Sequence, residues 1–236
     1  IVGGHDAANG KWPWQVGLWV FDPTSSQWNL TCGGSLIHRQ SLWPSVPRRH
    51  PVTRHFKVQL GRVRPSHQGR LQVARIIHHP KYSLEYGALG GAEVALLKLK
   101  APVRPSNRFR WIRLPPASSS FAPGTPCWVT GWGRIAPGVP LPPPHNLQEV
   151  EVPIMGDEIC HWQYLKEGKV IKKTMLCAGS EGRDSCHGDS GGPLVCKWRG
   201  VGVVSWGSEY CSPNFPGVYT RVTSFLPWIC HHIRSS

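Results

Sequence analysis

The sequence predicts an all-β fold whose short antiparallel strands form a sandwich or a barrel. The 26 glycines and 23 prolines are typical of short strands joined by tight turns, and helical patterns are few. Short apolar runs bounded by turn residues are the second observation, and they lie at 14–20, 57–60, 71–77, 94–99, 127–132, 192–197 and 200–206. Each run is therefore a predicted strand.

Two segments have helical character, at 157–166 and 224–233, and Ser224 is the expected N-terminal cap of the second. A chain of 236 residues is long enough for one large β domain or for two domains of about 100 residues each. The proline- and serine-rich segment 115–126 is typical of a linker, and it divides a basic half from a nearly neutral half.

The positive charge is concentrated in the N-terminal half. The net charge is +14, and residues 1–118 hold 17 Lys and Arg against 4 Asp and Glu, whereas residues 119–236 hold 10 against 9. This surplus is typical either of a solvated basic surface or of a face that binds an anionic polymer such as a heparin-like glycan. Because no nucleic-acid-binding motif accompanies the charge, nucleic acid is not an expected partner. No window approaches the roughly 18 apolar residues of a membrane span.

Eight cysteines favour an oxidising compartment, since such a number is unusual in a cytosolic protein of this size. The triplet that begins at Asn29 is a sequon for N-glycosylation, which agrees with a secretory route. The opening IVGG is neither an initiator sequence nor a signal peptide. We therefore expect a processed, secreted and extracellular protein.

The segment DSCHGDSGGP, at 184–193, carries the strongest chemical signal. A serine between glycines on a sharp turn exposes its hydroxyl and lets backbone N–H groups approach a substrate carbonyl, so Ser190 is a candidate nucleophile. Taken alone, the pattern also fits an inert serine in a glycine-rich turn. The spacing Gly188-x-Ser190-x-Gly192 fits the nucleophile elbow of α/β-hydrolases as well, but the chain lacks the alternating strands and helices of that fold.

Further motifs are spread over the chain: IVGG at 1–4, KWPWQV at 11–16, CGGSLIH at 32–38, ALLKL at 95–99, PCWVTGWG at 126–133, LPPPHNLQEVEVPIM at 141–155, MLCAG at 175–179, VVSWG at 203–207 and PGVYTRV at 216–222. Together with 184–197 they resemble the trypsin-like serine proteases of the chymotrypsin fold, and the mast-cell tryptase and mastin branch most closely. The resemblance covers nearly the whole chain except residues 39–56. It implies two six-stranded antiparallel β-barrels packed face to face, at about 14–114 and 127–223, then a short helix at 224–233, with the active site between the barrels.

The resemblance assigns catalytic roles position by position. Ser190 is the implied nucleophile, and the N–H groups of Gly188 and Ser190 form the implied oxyanion hole, which stabilises developing negative charge. The free amine of Ile1 is implied to fold inward and pair with Asp189, because a buried ammonium and a buried carboxylate are tolerated only together. That pairing is the implied activation switch.

A pocket that selects Arg or Lys is implied as well. Asp184 lies at its base, with Gly207 and Gly217 as open walls. Ser205, Trp206 and Gly207 are implied to pair with the substrate backbone as an added strand. The expected substrates or ligands are therefore polypeptides with Arg or Lys. The resemblance implies no metal and no cofactor, and further copies of the chain are candidate partners.

Three disulfides are implied by the family pattern, and they are Cys127–Cys196, Cys160–Cys177 and Cys186–Cys211. Cys32 and Cys230 are left over. The family partner of Cys32 comes one residue after the catalytic histidine, in a stretch that reads LTAAHC and is absent from this chain.

Residues 39–56 depart from the family pattern. In the family the catalytic histidine comes fifteen positions after the cysteine that corresponds to Cys32, and here that position is Pro47. A proline disfavours the short helix that holds the histidine. His50 and His55 are the nearest imidazoles. We interpret the segment as replaced, as a shifted reading frame or a different splice junction would do.

The carboxylate that orients the base is altered too. The family has aspartate where this chain has Glu93, which is one methylene longer, although other serine hydrolases use glutamate in this role. Loss of the base is more severe, at about a million-fold in turnover in a related template. Three functions stay open: an endopeptidase homologue with reduced or absent catalysis, an active endopeptidase that uses His50 or His55, and a basic pseudoprotease that binds Arg/Lys peptides or anionic glycans.

Overall fold

A computed structural model describes residues 1–44, 52–82, 85–92, 94–208, 211–212 and 214–234. The strands in these ranges are β1 (His5–Asp6), β2 (Gln15–Asp22), β3 (Gln27–His38), β4 (Ser41–Pro44), β5 (Phe56–Leu60), β6 (Leu71–His78), β7 (Ala95–Leu99), β8 (Pro126–Gly131), β9 (Gln148–Met155), β10 (Met175–Ala178), β11 (Pro193–Cys196), β12 (Arg199–Trp206) and β13 (Gly217–Arg221). The α-helices are α1 (Asp157–Leu165) and α2 (Leu226–Arg234). Short 3₁₀ turns lie at Thr53–His55, Gly87–Gly90 and Val222–Phe225.

Strands β2 to β7 form a closed antiparallel barrel in the order β2-β3-β4-β7-β6-β5. Its interior is filled by aliphatic and aromatic side chains that alternate along the strands. These residues are Val16, Leu18, Leu36, Leu42, Phe56, Val58, Val73, Leu97 and Leu99. A packed interior of this kind supplies the apolar burial that stabilises the first barrel.

Strand β4 lies inside segment 39–56, where the sequence shows no apolar periodicity. It pairs with β3 on one side and β7 on the other, and Leu42 and Trp43 are 0% and 1% exposed. Four residues are enough to close the barrel, but they are too few for a periodic pattern to be visible in the sequence. The first part of this segment therefore belongs to the core of the barrel.

The second barrel has the strand order β8-β9-β10-β13-β12-β11, and β11 pairs with β8 to close it. Strand β1 adds to the outside of β9, which ties the N-terminal segment to this barrel. The prediction of an all-β fold with two closed six-stranded antiparallel barrels and a short C-terminal helix is therefore confirmed.

The two barrels meet where glycines allow a close approach. The Gly33 N–H, on β3, donates to the Ser190 carbonyl at 2.9 Å. A Cβ atom at Gly33 would lie 3.0 Å from the Gly192 Cα atom, so any larger residue would push the barrels apart. The Thr130 hydroxyl also donates to Gln15 Oε1 across the junction at 2.6 Å. These contacts place Ser190 at the junction of the barrels.

Both predicted helices are present, but the expected cap at Ser224 is wrong. Ser224 lies within the 3₁₀ turn Val222–Phe225, which runs directly into α2. The N-cap position needs extended backbone, and a residue inside a 3₁₀ turn does not have it. Among the described residues no helix has the length and apolar character needed to cross a membrane.

The disulfides all lie in the second half of the chain. They are Cys127–Cys196, Cys160–Cys177 and Cys186–Cys211, the three pairs that the resemblance implies. Cys160–Cys177 joins α1 to β10, and Cys127–Cys196 joins β8 to β11. Cys32 is buried in β3, and Cys230 is half-buried on α2.

Truncating Leu42 tests whether β4 is part of the first-barrel core. Because this side chain is fully buried, Leu42→Ala should lower the free energy of unfolding by about 2–5 kcal/mol, measured by denaturant titration. Leu89→Ala is the control, since Leu89 is 43% exposed and its truncation should change stability little. Equal effects of the two substitutions would contradict the placement of β4.

Candidate active site

A buried ion pair fixes the N-terminal residue. The Ile1 ammonium lies 2.6 Å from Asp189 Oδ2 and donates to the Arg134 carbonyl at 2.7 Å, and both charged groups are 0% exposed. The Cys186 N–H donates to Asp189 Oδ2 at 2.9 Å, and the Gly133 N–H donates to Oδ1 at 2.8 Å. The interior tolerates this carboxylate because one ammonium and two amide groups satisfy it.

The ion pair shapes the turn that carries Ser190, because Asp189 is the residue before it. Gly188 has a φ of 97°, a region that side chains rarely adopt, and a Cβ atom there would lie 3.0 Å from the Gly133 Cα atom. Within the described ranges, the N–H groups of Gly188 and Ser190 donate to no acceptor. Two such donors side by side are able to receive a substrate oxygen.

The Ser190 side chain is half-buried at the barrel junction. Its carbonyl is held by Gly33 of the first barrel, whereas its Oγ atom forms no hydrogen bond with any residue in the described part of the chain. The hydroxyl therefore faces the cleft and is available to a ligand.

A cavity of about 230 Å³ opens beside Ser190 and has Asp184 in its lining. Gly217 leaves room for the carboxylate, because a Cβ atom at that position would collide with Asp184 Oδ1. Gly207 also leaves open space in the cavity wall. Even a Cβ atom at this position would have no neighbour closer than 3.8 Å. The cavity thus has a carboxylate at one place in its wall and a serine hydroxyl at another.

Burial dominates the acidity of Asp184. Desolvation raises the pKa of this carboxyl to about 8, and the hydrogen bonds from Ser185, whose N–H donates to Oδ1 at 2.6 Å, offset only part of the effect. A cationic side chain in the cavity would favour the ionised form. The electrostatics therefore suit a guanidinium or an ammonium ligand.

The wall beyond the cavity is an aromatic stack. Ser205, Trp206 and Gly207 line the cavity, as the resemblance implies for the strand that meets the substrate. Trp206 packs on Tyr164 of α1 with 4.9 Å between ring centroids, and the Tyr164 hydroxyl donates to the Pro216 carbonyl at 2.5 Å. Helix α1 thus supports the wall from behind.

The candidate base and its orienting acid are placed as follows. His50 and Glu93 lie outside the described residues. His55 ends a 3₁₀ turn and packs on Phe21, with 5.8 Å between ring centroids.

His55 packs at one level of the first barrel, and Ser190 contacts the barrel at another level. Ser190 contacts Gly33, which pairs with Gly17 of β2. Phe21 is four residues further along β2, which corresponds to roughly 13 Å at about 3.3 Å per residue. The ring of His55 therefore packs well away from the end of β2 that lies near Ser190.

His187 is a lining residue that the sequence reasoning missed. It is exposed and borders the same cavity as Ser190 and Asp184. The signal was present, because His187 is the imidazole inside the DSCHGDSGG motif itself. It places an exposed imidazole in the lining of the cavity.

The geometry can hold a peptide by a cationic side chain and present its carbonyl to Ser190. Asp184 would receive the cation, and the N–H groups of Gly188 and Ser190 would receive the carbonyl oxygen. Chemistry at the carbonyl additionally needs an imidazole that accepts the serine proton.

Comparison with known proteins gives a consistent result. Residues 1–229 match the Trypsin family. The chain is 46% identical over 250 residues to the protein named Tryptase from Mus musculus, which covers 99% of this chain and 88% of that protein. It is 40% identical over 248 residues to Serine protease 28 from Mus musculus, with 99% and 89% covered.

Replacing Asp189 tests the ion pair. Asp189→Asn leaves the Ile1 ammonium buried without a counter-charge, and we expect a loss of about 3–5 kcal/mol in the free energy of unfolding. Asp157→Asn is the matched control, because Asp157 pairs with Arg221 on the surface and is 65% exposed. Its loss should be small. An Asp189→Asn protein as stable as the control would show that the pair contributes little.

Proposed function

The chain belongs to the trypsin family of serine proteases, and we propose that it is a secreted homologue with an Arg/Lys pocket and severely reduced catalysis. One observation carries the proposal: Asp184 and Ser190 line a single cavity whose glycine walls leave room for a long cationic side chain. A carboxylate in such a cavity favours Arg and Lys over neutral side chains. In this proposal the residues that bind the substrate are retained.

We attribute the reduced catalysis to the missing histidine base. The sequence has Pro47 where the family has histidine, and β4 ends at Pro44, so the chain enters this region as strand followed by proline-rich sequence. The packing of His55 on Phe21 supports the proposal, because this contact holds the His55 imidazole away from the cleft. The substitution of Glu93 for aspartate adds to the effect.

Secretion is supported by the three disulfides, which form in oxidising compartments. Asn29, the proposed glycosylation site, lies on β3 and is exposed, so an oligosaccharide would meet no steric obstacle from the barrel core. Activation in this proposal depends on the free Ile1 amine, which must reach Asp189.

A second candidate function is the binding of anionic glycans by the first barrel. An open groove of about 980 Å³ is lined by Arg62, Arg64 and Arg108, with Asp6 as its acidic residue. Asn146 holds the groove together, because it donates to Asp6 and accepts from the Arg64 guanidinium at 2.9 Å. Replacing the three arginines by alanine should lower the salt concentration at which the protein elutes from heparin. Unchanged elution would place glycan binding elsewhere.

The pocket should bind benzamidine in a pH-dependent way. Because a cation binds the ionised carboxylate and the pKa of Asp184 is about 8, affinity should be highest above pH 8. It should weaken by up to about tenfold for each pH unit below that value, as measured by calorimetry. Asp184→Ser should abolish both the binding and its pH dependence. Equal binding by this variant would contradict the assignment of Asp184 as the group that binds the cation.

The proposal of reduced catalysis predicts slow labelling of Ser190 by a fluorophosphonate probe. Without a neutral imidazole within about 3 Å the hydroxyl is not activated, so labelling should be far slower than for the mouse tryptase. Replacing residues 43–48 with LTAAHC, together with Glu93→Asp, should raise the rate and supply a second cysteine with which Cys32 can form a disulfide. Fast labelling of the unmodified chain, lost in His50→Ala or His55→Ala, would establish that histidine as the base.

A further inference from the structure

A second pocket, of about 240 Å³, lies on the outer face of the second barrel and shares no residue with the cavity beside Ser190. Its walls are the tryptophans Trp12, Trp128 and Trp198, and its charged residues are Glu151 and Lys197. None of these five residues has a role in the proposed proteolytic site. The pocket therefore calls for a separate explanation.

The barrel and one hairpin build this pocket. Trp128 on β8 pairs with Glu151 on β9, so their side chains share one face of the sheet. Lys197 and Trp198 form the two-residue turn between β11 and β12, with φ values of 49° and 60°. Such turns favour asparagine and glycine, because other residues are strained in left-handed backbone. The turn nevertheless carries a tryptophan that is 62% exposed at the rim of the pocket.

The tryptophan rings are held in a fixed arrangement. The centroid of Trp12 lies 5.9 Å from that of Trp128 and 6.0 Å from that of Trp198. Trp12 is 5% exposed, and its indole N–H donates to Glu149 Oε2 at 2.5 Å. Since this hydrogen bond satisfies the polar atom, the small part of the ring that lines the pocket is apolar.

The Lys11 ammonium already contacts two of these rings. The Lys11 ammonium lies 4.2 Å from the centroid of Trp128 and 5.3 Å from that of Trp12, while it also pairs with Glu149 at 2.6 Å. Lys11 is not part of the pocket lining. The indole faces of this cluster are therefore oriented to attract positive charge, and the pocket offers them to a second cation.

The charges of the pocket are complementary to a zwitterion. Glu151 is exposed, and its side chain forms no ion pair or hydrogen bond within the described residues. A carboxylate beside aromatic faces favours a cation with apolar substituents, because methyl groups lower the cost of leaving water. Lys197, also exposed, adds an ammonium that favours an anion close to that cation.

We propose that this pocket binds the choline phosphate group. Its quaternary ammonium lies against Trp12, Trp128 and Trp198 beside the Glu151 carboxylate, and its phosphate pairs with Lys197. The site is independent of the catalytic state of Ser190. A positively charged protein that also recognises this group can bind a neutral, zwitterionic surface or ligand.

Calorimetric titration of the full chain with phosphocholine tests the proposal. We expect saturable binding, and binding at least about fivefold weaker for phosphoethanolamine, whose primary ammonium is more strongly hydrated. Trp198→Asn, which the left-handed backbone tolerates, and Glu151→Gln should each weaken phosphocholine binding by at least about fivefold. Trp162→Ala and Glu158→Gln are the controls and should change nothing, since both residues are exposed on α1.

Further measurements distinguish a lipid source of the choline phosphate group from a soluble one. Sedimentation with phosphatidylcholine vesicles, reversed by free phosphocholine, would support a lipid source, whereas phosphocholine binding without vesicle binding would support a soluble or conjugated one. No saturable binding of phosphocholine by the unmodified chain would overturn the proposal. Equal loss in the control variants, or equal affinity for phosphoethanolamine, would overturn it as well.

Discussion

The ion pair between the Ile1 ammonium and Asp189 is the contact on which the second half of the cleft depends. It is wholly buried, and it draws Cys186 and Gly133 toward one carboxylate. The turn at 184–193 is thereby folded back on itself, with Ser190 at its tip. One buried charge from the chain's first residue thus determines the conformation of a loop about 190 residues later.

Both walls of the cavity beside Ser190 rely on elements outside it. Helix α1 contributes Tyr164, which supports Trp206 and the Pro216 carbonyl, and the first barrel contributes Gly33, which holds the Ser190 carbonyl. Asp184 is then withdrawn from water between these elements, and this burial raises its pKa. The shape and charge of this cavity therefore depend on the packed pair of barrels rather than on a single loop.

Apolar runs in the sequence located β2, β5, β6, β7, β8, β11 and β12, because each of these strands is rich in apolar residues and bounded by turn residues. No such run located β1, β3, β4, β9, β10 or β13. Strands β4 and β10 have only four residues each, and in β9 Pro153 interrupts the run and ordinarily argues against a central strand. Ser224 failed as a cap because the 3₁₀ turn before α2 cannot be read from residue types alone.

The site was predictable wherever its residues are close in sequence. The segment 184–193 contains the candidate nucleophile Ser190, the carboxylate Asp184 of the same cavity and Asp189, the partner of Ile1, so a single motif with its resemblance indicated all three residues. The tryptophan pocket was not predictable, because Trp12, Trp128 and Trp198 are far apart in the chain and meet only in the folded protein. A catalytic histidine in segment 39–56 was not predictable either, because the segment contains no motif that identifies one.

The uneven distribution of the disulfides has a consequence for how the protein unfolds. All three crosslinks lie beyond residue 126, while Cys32 is the sole cysteine before it and residues 1–118 hold 17 Lys and Arg against 4 Asp and Glu. The first barrel thus depends on apolar packing against its own electrostatic repulsion, which salt screens. Denaturant should open this barrel first and populate an intermediate, so a single two-state transition is not expected. Added salt should therefore stabilise the first barrel, and a reductant should destabilise the second.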